Sequence, residues 1–180
     1  MKNYLRGLKY FLQNYLINYI PNYFIRNTFL KLSGLKNTNN ISIQIGVKIL
    51  GPTKNLSIGN DTIVNPECIL DARGGLKIGK NCSISRGVNI LTMSHDYESK
   101  GFELKGSQVI IKNNVWLGLN SIILPGCCIG EGSILGAGST LTKSIPNGEF
   151  WAGNPAKFIK KLSQNKRDSV FYKPPFGSQT

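Results

Sequence analysis

"VWLGLNSIILPGCCIGEGSILGAGSTLTKSIP", residues 115–146, carries an aliphatic side chain at every sixth position: Leu117, Ile123, Ile129, Leu135 and Leu141. The frame runs back to Ile111 and, across two interruptions, to Ile78, Ile84 and Ile90 and to Ile58, Val64 and Leu70. All twelve of these leading positions are Ile, Leu or Val, which is a repeat and not a coincidence of composition. The next position is often glycine (Gly59, Gly79, Gly118, Gly130, Gly136), expected to supply the left-handed backbone of a tight corner. The fifth is mostly small (Thr62, Cys68, Cys82, Val88, Ser94, Ser121, Cys127, Ser133, Ser139) and is expected to point inward.

A six-residue period is too short for a helical hairpin and too regular for a sandwich. It fits an all-β parallel β-helix, in which each hexad is one short strand plus a corner and three hexads close a coil of about 18 residues. Spacing alone does not set the hand of the coil. Cys68, Cys82, Cys127 and Cys128 have no CxxC spacing and are read as small buried residues at corners. With one histidine in the chain, a histidine-bound metal site is not expected.

The length of 180 residues suits one domain with appendages: a helical segment at 1–35, the β-helix at 36–147 and a turn and tail at 148–180. With 22 Lys and Arg against 9 Asp and Glu the net charge is +13, which favours a polyanionic partner: a phosphorylated cofactor, an acidic glycan, nucleic acid or an anionic membrane surface. Nucleic acid is disfavoured because aromatic residues concentrate near the start of the chain and do not interleave with basic repeats. No apolar run reaches membrane-spanning length and the start lacks a signal peptide's pattern, so a cytoplasmic location is expected.

In the first 32 residues, Tyr4, Leu5, Leu8, Phe11, Leu12, Tyr15, Leu16, Tyr19 and Tyr23 recur at helical spacing, with Lys2, Arg6, Lys9, Asn14 and Asn18 between them. This predicts an amphipathic helix, restarted at Pro21. Its apolar face is expected to pack on the rest of the protein or on another subunit. The alternative is an interfacial helix lying peripherally on the inner membrane face.

The two interruptions are where function is expected. The first adds Gly74 and Gly75 to one corner; the second is a loop over residues 96–110 that follows the lone histidine, His95. Counted in hexads, His95 is the last residue in register, on a corner at the base of the loop. Imidazole is the side chain best matched to general-base work near neutral pH.

Residues 115–146, followed by "AGNPAK" at 152–157, resemble the hexapeptide-repeat acyltransferases. Within them the resemblance is to the branch of galactoside, maltose and nodulation-factor O-acetyltransferases and to those of capsule and O-antigen clusters, and it covers about residues 40–160. It implies a left-handed β-helix, a homotrimer with coils side by side, and acetyl-CoA as co-substrate in the groove between subunits, without a metal. By position it makes His95, in "SH", the catalytic base, Asn65 a contact to the acceptor or the cofactor, and Asp71 a contact to the acceptor hydroxyls, the alternative for both being capped turns. Trp116 is either a wall of the acceptor or pantetheine channel or a coil-to-coil stacking residue. Acetyl-CoA contacts are implied at the backbone of Leu119 and Ala137 and at Thr142, Lys143, Lys157 and Lys160; Leu119 departs from the small residue usual there.

The function implied is transfer of acetyl to a sugar hydroxyl in cell-surface polysaccharide synthesis. Alternatives are N-acetylation of an amino sugar or nucleotide sugar and a non-catalytic scaffold. No acyl-enzyme is required, and Asp96 is a candidate to orient the imidazole.

Overall fold

A computed structural model of the chain describes residues 2–35 and 40–163; the expected tail from residue 164 lies outside them. Most of it is a three-sided parallel coil. One face stacks Leu56–Ile58, Leu76–Ile78, Val109–Ile111 and Cys128–Ile129. The second stacks Ser42–Ile43, Ile63–Val64, Ser83–Ile84, Trp116–Leu117 and Ile134–Leu135. The third stacks Lys48–Leu50, Ile69–Asp71, Asn89–Ile90, Ile122–Ile123 and Thr140–Leu141.

All twelve leading positions are buried on the axis, none above 3% exposed. Each such side chain contributes about 1.5–3 kcal/mol by leaving water. One further coil precedes those the hexads reveal, led by Ile43 and Ile49. A 3-10 turn at Thr53–Asn55 lengthens its corner and hides it from a six-residue count.

The corners correct the reading of glycine. Gly59, Gly79, Gly118, Gly130 and Gly136 do not have positive φ. They are glycine because a Cβ would strike the next coil: at Gly118 it would sit 2.4 Å from the amide nitrogen of Ala137. The left-handed residue falls two positions later, at Asp61, Asn81, Gly87, Asn114, Asn120 and Gly138 among others. Asn, Asp and Gly tolerate that region best.

Of the small fifth positions, Thr62, Cys68, Cys82, Val88, Ser121, Cys127, Ser133 and Ser139 are buried as expected. Ser94 is exposed, because the chain has already left the coil there.

The N-terminal segment is α1 (Lys2–Phe11), a π-helical turn at Leu12–Leu16, a 3-10 turn at Ile17–Tyr19 and α2 (Tyr23–Leu32). Pro21 stands outside α2, whose N-cap is Asn22, accepting from the Ile25 N–H at 3.2 Å. The first coil has a free strand edge, and the segment satisfies it with polar side chains. Asn14 receives the Ile49 N–H at 2.8 Å and donates to its carbonyl at 3.1 Å; Asn18 donates to Val47 O, and Arg26 and Asn27 reach Ile43 O and Ile41 O. Most of the apolar face therefore points away from the coil: Tyr4, Leu5, Leu8, Phe11, Leu12 and Leu16 are exposed, while Tyr15 and Tyr19, half exposed, lie beside Lys48 and Gly46 of the first coil. The expectation that this face packs on the rest of the protomer is overturned.

Candidate functional site

The excursion from the coil starts earlier than the hexad count expects. After Asn89–Ile90 the chain keeps register through Leu91, then leaves as a two-stranded arm in which Met93–His95 pairs antiparallel with Leu104–Gly106. It rejoins at Val109, paired with Leu76. His95 is thus a residue of the arm, opposite Leu104, and not the last residue of the coil.

The two interruptions are one construction. Thr92, fully buried, is the root of the arm: its carbonyl accepts the Ser107 N–H at 2.9 Å and its hydroxyl accepts the Gly74 N–H at 2.8 Å. Gly75 O in turn accepts the Val109 N–H at 3.1 Å. A Cβ on Gly74 would lie 2.5 Å from Thr92 O, so the inserted glycines form the seat on which the arm stands.

Asp71 completes this root. Its carboxylate accepts from the Thr92 N–H at 3.0 Å, from the Arg73 N–H at 3.0 Å, and from the Arg73 guanidinium at 2.9 and 3.1 Å. Its side chain is 0% exposed, so in the protomer it holds Arg73 and Thr92 and is closed to a ligand, contrary to the expectation of a direct acceptor contact. Burial pushes its pKa up, but the Arg73 guanidinium and the Arg73 and Thr92 N–H groups outweigh that and hold it below the ordinary carboxylate value.

On the arm, His95 Nδ1 lies 2.5 Å from Phe102 O. A carbonyl only accepts, so Nδ1 carries the proton and a neutral ring presents the Nε2 lone pair. Phe102 has φ +48, a left-handed backbone uncommon for a bulky residue. The orienting partner is therefore Phe102 O and not Asp96. The Asp96 carboxylate receives the Glu98 N–H at 3.1 Å and faces Lys105 at 3.8 Å. No sequence signal marks Phe102, because its contribution is a backbone oxygen.

Five of the remaining residues lie at the corners bounding the third face. Asn65, Leu119 and Ala137 follow second-face strands; Thr142 and Lys143, like the arm, follow third-face strands. Asn65 donates to Ile84 O at 2.9 Å and leaves Oδ1 without a partner among the described residues. It shares no hydrogen bond with His95, which stands at a different corner.

The amides of Leu119 and Ala137 have no partner among the described residues, while Gly138 N–H bonds Leu119 O at 2.7 Å. Two free N–H groups on successive coils fit the polar arm of a pantetheine. Trp116 is 46% exposed and donates to Ser85 Oγ at 3.0 Å, which fixes its indole at the surface.

Lys157 and Lys160 lie on Ala156–Lys161, antiparallel to Glu149–Gly153. Three residues apart on a regular strand they would face opposite ways. The register shift between Phe150 and Trp151 leaves Ile159 unpaired, so the lysines oppose Ala152 and Phe150 and share one face. Thr142 and Lys143 are exposed as well. These cations fit a cofactor rich in phosphate.

Residues 108–143 match the bacterial transferase hexapeptide family model of six repeats. WcaF of Escherichia coli K12, named as a candidate colanic acid biosynthesis acetyltransferase, is 34% identical over 136 residues, 76% of this chain and 74% of that protein. The chain belongs to the hexapeptide-repeat acetyltransferases.

Solved structures agree. A hexapeptide-repeat acetyltransferase of Vibrio cholerae, complexed with acetyl coenzyme A, superposes with TM-score 0.76 at 21% identity, covering 88% of this chain and 85% of that one. A maltose O-acetyltransferase of Clostridium difficile 630 gives TM-score 0.76 at 28% identity, covering 90% and 86%. The coil of this acetyltransferase is the left-handed β-helix of the family.

Three of its four cysteines match the structural reading; Cys128 is instead only half-buried, on the strand Cys128–Ile129. Cys68, Cys82 and Cys127 are buried and free; burial pushes the thiol of Cys68 up to about 12 and that of Cys82 to about 11, so neither is a nucleophile at neutral pH. Among the described residues no group of three His, Cys, Asp or Glu could hold a metal ion.

Proposed function

We propose that the protein transfers acetyl from acetyl-CoA to a sugar hydroxyl in cell-surface polysaccharide synthesis. The observation that carries this is the His95 tautomer set by Phe102 O, which leaves Nε2 as an acceptor on an exposed arm. The similarity to WcaF supports the polysaccharide context.

Acetyl-CoA supplies an activated acyl group on a good leaving thiolate, so direct transfer suffices. Nε2 of His95 takes the hydroxyl proton as that oxygen bonds the thioester carbonyl carbon; the C–S bond breaks, and the proton passes to the departing sulfur. The Leu119 and Ala137 amides hold the pantetheine, and Lys143, Lys157 and Lys160 with Thr142 hold the phosphates. Asn65 and Trp116 contact the acceptor or the arm of the cofactor.

The working site forms between neighbouring protomers of a homotrimer, as the family resemblance implies; the placing of Asn65 and His95 at different corners is compatible with this. The protein acts on the cytoplasmic side of the membrane. The test is CoA release from acetyl-CoA across a panel of saccharides, with amino sugars in parallel. Turnover on neutral saccharides is expected; turnover confined to amines would reassign the reaction to N-acetylation.

A further inference from the structure

The N-terminal segment buries Gln13, Asn14, Asn18 and Arg26 and leaves most of its large apolar side chains exposed, Leu30 excepted. Wherever side chains of residues 4–12 are described they are exposed, with Tyr4 at 77% and Leu5 at 57%; on α2, Phe24 and Leu32 are 77% and 84% exposed. The coil-facing side is already consumed by Asn14, Asn18, Arg26 and Asn27 bonding the first coil's edge. What remains outside is an apolar stripe far larger than scattered surface leucines.

Charge says what it fits. The first 60 residues hold Lys2, Arg6, Lys9, Arg26, Lys31, Lys36, Lys48 and Lys54 and no Asp or Glu, so eight of the net +13 charges belong to this third of the chain. Lys9, exposed like the apolar residues around it, is among them. Five of the seven tyrosines lie within residues 4–23. An exposed face rich in tyrosine and leucine, on a segment whose charges are all cationic, is the makeup of a helix lying in the headgroup region of an anionic bilayer. Self-association of the same surface would bring like charges together without an acid to meet them. No described helix is long and apolar enough to cross a membrane, so the segment lies on the surface and does not span.

We propose that α1 and the turns that follow it are a monotopic docking surface for an anionic membrane. This holds independently of which acceptor the enzyme acetylates.

The test is flotation of the purified full-length protein with vesicles of phosphatidylcholine, with and without about one-third phosphatidylglycerol. Binding to the anionic vesicles is expected, at least about tenfold weaker on neutral ones and weakened by salt. A combined Leu5→Asp and Leu8→Asp variant, altered only at exposed positions, is expected to lose vesicle binding at least about tenfold with unchanged circular dichroism and sedimentation. Lys9→Glu is expected to weaken it partway.

Failure of the wild type to float, or flotation of the leucine variant like wild type, overturns the proposal. A leucine variant whose assembly falls apart also overturns it, assigning the stripe to contact between copies.

Discussion

The coil and the N-terminal segment both carry regular apolar periodicity, yet they point it in opposite directions. In the coil every leading residue is buried, and each interior strand finds backbone partners above and below. The segment meets the one place where partners run out, the edge of the first coil. There the Ile49 amide and the carbonyls of Val47 and Ile49 draw in Asn14 and Asn18, and most of the apolar face is left outside. Periodicity identifies an apolar face; the hydrogen-bonding needs of the neighbouring backbone decide which way it turns.

That contrast can be broken by substitution. The largest effect is expected at the coil axis: Leu117→Ala should cost about 2–5 kcal/mol in urea unfolding, since the residue is fully buried between coils. Asp71→Asn comes next, at about 1.5–3 kcal/mol, because the charge accepts four hydrogen bonds at the arm's root. Its folded pKa is lowered, so the stabilisation is present above the unfolded carboxylate value of about 3.9 and fades as pH falls through the folded value. The gap between wild type and variant should therefore be widest at neutral pH and close in acid.

In the segment the order of polar and apolar positions should be reversed. Asn14→Leu, which extends the apolar face, should destabilise by about 1–3 kcal/mol by stranding the Ile49 amide and carbonyl. Leu8→Ser, at an exposed position, should fall within about 0.5 kcal/mol. Equal costs at the two positions would mean that the segment packs the other way round.

Most of the coil was legible because one six-residue rule covers it. Ile43 and Ile49 escaped that rule because the corner after them is lengthened by Thr53–Asn55. The role of the glycines after the leading residues was misread, since a sequence shows that a Cβ is missing but not whether φ or a neighbouring coil forbids it. Gly118 answers to Ala137, a coil away.

At the candidate site, His95 was marked by its uniqueness and by the broken frame, but the arm that carries it could not be counted in hexads. Its partner Phe102 O and the Asp71 clamp depend on backbone atoms and on burial, which no residue pattern encodes. The bulge at Ile159, which brings Lys157 and Lys160 to one face, is likewise a matter of register.

The most direct measurement compares acetyl transfer by wild type and His95→Ala on the same saccharide, alongside acetyl-CoA binding. A base at Nε2 predicts a rate lower by about 10²–10⁴-fold with cofactor binding unchanged. A rate within a fewfold of wild type would contradict the account, because the proton of the acceptor would then leave by a route that does not involve the arm.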